Sequence, residues 1–304
     1  MFRFFFVSLI AFAGSFVAQA CNMSTDARSA DFTPYYQNGV ACLDAPPNGL
    51  RFDQDIEARF LDQINTERRA AGLTALRLRT DLRPAARFHS LDMAVNAFFN
   101  HESPNGRKAG ERIAAFDRTL LAKSTAENIA QYGPVYCTDH TGSRVSCFES
   151  PDFELPTPTF VARDLHTKLM ASEWHRANIL NGRTTHVAIG VARSDTGFYV
   201  TQVFAQKLGE LNAPLPIEIG LNSRVQTKAE IEDWSFGSFG IVTPGEGRVD
   251  LKGSRMIGVS LGDKKLIVRG EKVSKEHEIN RIVTTTQWLD LFGPAFSVVR
   301  ATES

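Results

Sequence analysis

The stretch 186–204 reads His186-Val187-Ala188-Ile189-Gly190-Val191-Ala192-Arg193-Ser194-Asp195-Thr196-Gly197-Phe198-Tyr199-Val200-Thr201-Gln202-Val203-Phe204. Val187, Ile189 and Val191 alternate as in a strand, and Phe198 to Ala205 is a near-continuous run of β-formers. Ser194-Asp195-Thr196-Gly197 between them is turn chemistry, so the stretch predicts an antiparallel hairpin. Upstream, Ile56, Phe60 and Ile64 recur at i, i+4 and i+8 from Asp55, with Gly72 as a stop. Leu82, Ala86, His89, Met93 and Ala97 share the inner face of a second helix, which Thr80-Asp81 would cap. Val161, Leu165 and Leu169 place a third over 160–171. Helices around an antiparallel sheet make the fold class α+β.

Outside this block the chain changes character. Met1-Phe2-Arg3 precedes an uncharged apolar run, Phe4 to Val17, then Ala18-Gln19-Ala20. One cation, a short apolar segment and an A-x-A site predict a secretory signal over 1–20. The run is shorter than the roughly 20 residues that a bilayer span needs. Residues 21–50 are rich in Asp, Pro, Asn, Ser and Gly and read as a leader. The main domain is expected over 51–210, interrupted at 131–159 by an aperiodic, proline-rich insertion. Beyond it, 211–304 reads as a small β-rich region, with short runs such as Leu266 to Val268 and Ile282 to Thr286 between turns. One of them, Arg255 to Ser260, is expected to pair with Lys265 to Val268 across Gly262-Asp263.

The four cysteines, 21, 42, 137 and 147, are an even number in a chain read as exported, where disulfides are permitted. The reading pairs Cys137 with Cys147 by proximity and Cys21 with Cys42 by elimination, among three possible connectivities. Cys21 directly follows the cleavage site, so lipid anchoring through it is the alternative to a secreted or periplasmic protein.

Charge narrows the function. There are 34 Lys+Arg against 34 Asp+Glu, with 43% hydrophobic and 22% charged residues. The region 211–304 is itself balanced, 12 basic to 12 acidic. Neither part offers the basic face that nucleic acid requires, so no nucleic-acid partner is expected.

Several blocks then fall in order: Asn65 and Arg68 before Gly72-Leu73; Phe99-Asn100-His101-Glu102-Ser103-Pro104; Glu111-Arg112; Ala126-Glu127-Asn128-Ile129-Ala130; His175-Arg176-Ala177-Asn178-Ile179-Leu180; and Tyr199 to Phe204. Together they resemble the CAP superfamily of cysteine-rich secretory, antigen 5 and pathogenesis-related proteins, in its bacterial secreted branch. The resemblance implies an α-β-α sandwich with one open cleft, lined here by His101, Glu127 and His175. Many members add a second Glu, three residues after a helix Trp. This chain has Leu169 and Ser172 at those places, Glu173 next to the second, and Trp174 where a Gly precedes the His. The resemblance thus implies a triad rather than a tetrad.

Two imidazoles and a carboxylate suit Zn²⁺ with a position left for water. The expected metal ligands are therefore His101 and His175 with Glu127, which are also the candidate catalytic residues. The first reading is nevertheless a binding module for a lipid, a peptide or an envelope component. A structural envelope-interaction protein stands second, and a metal-dependent hydrolase or peptidase third. His89 lies near His101 but on the inner helix face, and reads as a core residue. His140, His166, His186 and His277 show no partner pattern. Gly258-Val259-Ser260-Leu261-Gly262 matches the G-x-S-x-G nucleophile elbow, which requires a helix after the turn; the sequence there predicts a strand.

Overall fold

A computed structural model describes residues 20–23, 31–133, 135–140, 144–149, 154–225, 227–251, 256–257, 260–278 and 281–300. Residues 1–19 of the expected signal segment 1–20 lie outside them. Six helices are described: α1 (Phe32–Asp44), α2 (Gln54–Ala70), α3 (Arg83–Asn96), α4 (Ala109–Phe116), α5 (Pro158–Ala171) and α6 (Glu173–Ile179). None is long and apolar enough to cross a membrane.

The predicted hairpin is present, His186–Arg193 against Phe198–Leu211, and Leu120–Tyr132 pairs along the other side of the second strand. Alternation in the first strand divides the core. Val187, Ile189 and Val191 face α2 and α5, among Ile56, Phe60, Ile64, Val161 and Leu165. Ala188 and Ala192 face the other way, among Leu82, Ala86, Phe88, Ile113 and Phe116. The strand is therefore bulky on one side and small on the other, and α3 lies close on the small side. The result is the expected α-β-α sandwich of an α+β protein.

The long helices follow from their patterns. Asp53 caps α2 by accepting from Ile56 N, and Arg68 and Arg69 lie in its last turn, where cations complement the exposed carbonyls. The expected cap of α3 is not made. Thr80–Leu82 is instead a 3-10 turn, and α3 begins without a side-chain cap, using Pro84 in its first turn. Ala97 ends it as a left-handed cap rather than continuing its inner face.

Three segments differ from their sequence reading. The leader contains α1, whose Phe32, Tyr35 and Cys42 are buried. Pro34 is tolerated in its first turn, where no amide is needed. Gly39 is required because a side chain there would run into the Phe116 ring. The insertion is a hairpin, Val135–His140 against Arg144–Glu149, with Cys137 directly opposite Cys147. The side chains that would form that bridge lie outside the described residues. Finally, Met256–Ile257 pairs with Arg224–Val225 rather than with Lys265 to Val268. Gly262, at φ +93°, instead starts a 17-residue strand, Gly262–Glu278, that pairs with Arg281–Val299. A strand after Ser260 is incompatible with a nucleophile elbow.

Those long strands extend the main sheet. From one edge its order is Arg51–Phe52, His186–Arg193, Phe198–Leu211, Leu120–Tyr132, Arg281–Val299, Gly262–Glu278, Ser235–Val242 and Arg248–Leu251. The join is narrow, with Phe292 opposite Ala122 as its one register pair. A third hydrophobic cluster fills in beneath it, combining Leu121 and Leu211 with Phe239, Leu266, Leu291 and Phe296.

Cys21 and Cys42 form a disulfide, 21 residues apart in sequence. With its sulfur so committed, Cys21 cannot also carry a thioether-linked lipid. The bridge ties the start of this segment to the buried side of α1. By loop-closure entropy it should contribute about 3 kcal/mol. Cys42→Ser is accordingly expected to lower the unfolding free energy by that amount in urea titrations, with the folded circular dichroism spectrum retained.

Candidate functional site

The loop after α3 carries His101, the centre of a sheet strand carries Glu127, and the seven-residue helix α6 carries His175. Each is set in place by neighbours. The loop is stitched by Ser103 N to Arg107 O (2.9 Å), Gly106 N to Ser103 O (2.8 Å) and Glu102 N to Asn100 Oδ1 (2.9 Å). Helix α6 is docked by two amides. Asn128 Nδ2 donates to His175 O (3.1 Å) and Asn178 Nδ2 donates to Asn128 Oδ1 (2.9 Å).

The structure brings His101 and Glu127 together, with Nδ1 2.9 Å from Oε1. It also brings in Arg112, from α4. Its buried guanidinium donates from Nη2 to both Glu127 oxygens (2.9 and 2.8 Å) and to His101 O (2.9 Å). Its Nη1 reaches Arg107 O (2.8 Å) and Ser103 Oγ (3.3 Å). One cation thus holds the carboxylate and the loop that presents the imidazole. Burial alone would raise the Glu127 carboxyl. The His101 hydrogen bond and the charge of Arg112 outweigh it and hold the group below the ordinary carboxylate value. An ionised Glu127 can only accept, so in neutral His101 the proton is on Nδ1. Nε2 is left as an acceptor on a side chain that is half exposed.

His175 is lowered from the ordinary imidazole value, by burial and then by His101. It is not in the wall of the open groove beside His101 and Glu127, which Glu102, Lys108, Gly110, Thr125 and Ala126 help to line. Among the described residues, no three His, Cys, Asp or Glu side chains converge to hold a metal ion. The donor set explains this. Both Glu127 oxygens are engaged by a guanidinium, and a buried positive charge beside them opposes a dication. The residues present do not fit the metal that the resemblance implies.

His89 sits in the core as its helix position indicated, fully buried, with Nε2 3.0 Å from Asn100 O. Burial, and then the charge of Arg112, push it down to about 3. His186 is pushed down to about 4 by burial and by Lys207 and Arg79. The unfolded chain binds these protons below about pH 6.5, while the folded chain stays neutral well below that. Stability should therefore fall as pH drops from about 6.5 toward 3–4. His89→Phe should flatten that slope in pH-dependent thermal melts, at the cost of about 1 kcal/mol for the Asn100 bond. An unchanged slope would assign the acid sensitivity to other groups.

Sequence reasoning passed over Arg112, which lies inside a quoted block. Its signal was a lone cation leading the apolar run Ile113-Ala114-Ala115-Phe116, a position that needs a buried partner. Asn128 and Asn178 were also in quoted blocks but had no role.

The model of the cysteine-rich secretory protein family (CAP) matches residues 61–204. The uncharacterized protein YkwD of Bacillus subtilis is 30% identical over 151 residues, 50% of this chain and 47% of its own. The chain thus spans about half the length of the curated relative it matches. Among solved structures, an extracellular protein containing a SCP domain from Bacillus anthracis is 24% identical, with 51% of this chain and 41% of that one covered and a TM-score of 0.37. An outer surface protein of Borrelia burgdorferi is 14% identical, with 52% and 98% covered and a TM-score of 0.38. Residues 61–204 of the chain thus match the domain of the cysteine-rich secretory protein (CAP) family.

Proposed function

We propose that this chain works outside the cytosol as a binding module, and that its cleft takes a peptide or envelope component without a metal. The observation that carries this reading is the buried Glu127 carboxylate, shared between Arg112 and His101 (2.8–2.9 Å). So committed, Glu127 orients the imidazole rather than ligating an ion. His101 Nε2 then offers the cleft one hydrogen-bond acceptor, suited to a ligand N–H or O–H. A metal-assisted hydrolase would need three donors on one point, and these residues supply no such set. Export is supported by the signal-like N-terminus and by the Cys21–Cys42 bridge, which requires an oxidising compartment.

The test is to purify the chain from residue 21 after expression in an oxidising compartment. Elemental analysis, zinc titration calorimetry and mass spectrometry of extracted ligands follow. The expected result is zinc well below one per chain, unchanged in His175→Ala, with a co-purifying ligand that is depleted in His101→Ala. One tightly bound zinc per chain, lost in both His variants, would overturn the reading.

A further inference from the structure

The strand Leu120–Tyr132 is bonded to Phe198–Leu211 on one side, with register shifts on both sides of Ala122 that leave Lys123 without a pair and an unbroken ladder from Ser124 on. On its other side the register pairs Phe292 with Ala122, and among the described residues no strand follows beyond that point. Lys123, Ser124 and Thr125 are exposed there. In an antiparallel ladder alternate residues turn their N–H and C=O groups to the outer edge, so from Ser124, past the register shift, the strand presents an unfilled row of donors and acceptors.

Two hollows lie along that edge. One is the groove beside His101 and Glu127. The other, about 350 Å³, is lined by Ile113, Ala114, Ala122, Lys265 and Phe292. They share Gly110 and Thr125, so they form one trough with α4 as its opposite wall. The second hollow is largely apolar, and half of Phe292 is exposed in it. Its polar groups include two ammonium groups. Lys265 lies over the Phe292 ring, 5.5 Å from its centroid, and the carboxylate that acts on it is Glu111 of α4. Lys123 stands at the rim. Asp117, which also lines the hollow, is already engaged by Arg79.

We infer that this trough binds an extended acidic peptide as an added strand on the free edge at 123–126. Main-chain hydrogen bonds would supply the affinity and alternate side chains the selectivity. An apolar side chain would fill the hollow at Ile113, Ala114 and Phe292, with a carboxylate at Lys265 and Lys123. The other end of the peptide would reach His101, whose Nε2 accepts an amide N–H. This deepens the binding reading of the cleft and rests on it. The occupant follows from the free backbone row and from charge, since acyl chains have no use for the first and neutral peptides none for the second.

The probe is a fluorescein-labelled nonapeptide of alternating valine and glutamate, compared with the same peptide N-methylated at alternate amides, and with laurate as competitor. Binding should slow amide hydrogen exchange at 123–126. N-methylation, Lys123→Glu and Phe292→Ala should each weaken it about tenfold, the worth of one or two hydrogen bonds or a buried contact. Lys123 and Phe292 are exposed enough for both variants to fold, as thermal melts would confirm. Equal binding of the methylated peptide, displacement by laurate, or no protection at 123–126 would overturn the inference. If the His101-dependent ligand of the previous experiment persists in that case, the cleft reading survives and only the added strand is lost.

Discussion

Replacing Arg112 by Met should destabilise the protein by about 3–5 kcal/mol, the cost of leaving a buried carboxylate without its partner. The side chain is 1% exposed and bonds to Ser103, Arg107, His101 and Glu127. Met fills comparable volume, so the loss measures charge and hydrogen bonding rather than a cavity. Glu127, stripped of its cation, would take up a proton more readily, because burial raises it and the charge and hydrogen bond of Arg112 no longer oppose that. The double variant Arg112→Met with Glu127→Gln should recover much of the loss, because no charge is then stranded. Chemical denaturation of the parent, both single variants and the double variant closes the cycle. Simple additivity would mean that Arg112 acts through the loop alone and not through the carboxylate.

Gly190→Ala is expected to cost about 3 kcal/mol or more, at the top of the range for overpacking. Gly190 lies in the small-residue face of its strand, where α3 rests. A methyl group there would coincide with the backbone at Ala86 and Arg87. Main chain cannot rotate aside as a side chain does, so α3 would have to lift. That would also strain Ser90 Oγ, which donates to Gly190 O at 2.9 Å. Urea unfolding gives the number. A loss below about 0.5 kcal/mol, the scale of an ordinary surface change, would mean that the helix can move off the sheet freely.

These two positions illustrate what was legible. The repeats of Ile56, Phe60 and Ile64, and of Val187, Ile189 and Val191, give their elements away because each buries one face. The long arms after Gly262 do not. In Lys272-Val273-Ser274-Lys275-Glu276 nearly every residue meets solvent, so no alternation marks a strand. Helix α1 is masked by Pro34 and Gly39, which look like breakers. One is harmless in a first turn, and the other is demanded by Phe116, a contact from a distant helix that no local pattern reveals. At the site, His101 and Glu127 stand out through family blocks, while the group that binds them, Arg112, has no role in the sequence reading. Its burial depends on separate segments meeting, which only the folded chain displays.

The cluster beneath Phe292 and Ala122 bears on where the molecule can be cut. Leu121 and Leu211 belong to the family-matched half or its border, yet they are covered by Phe239, Leu266 and Leu291 from the last third of the chain. A fragment trimmed to the family boundaries would carry that oily seam into water and open a second raw strand edge beside it. For anyone making shortened versions, the natural seam of this protein is not the end of the recognisable domain. The last strand behaves as a lid on a neighbour's core, so the piece that can be handled alone keeps both halves together.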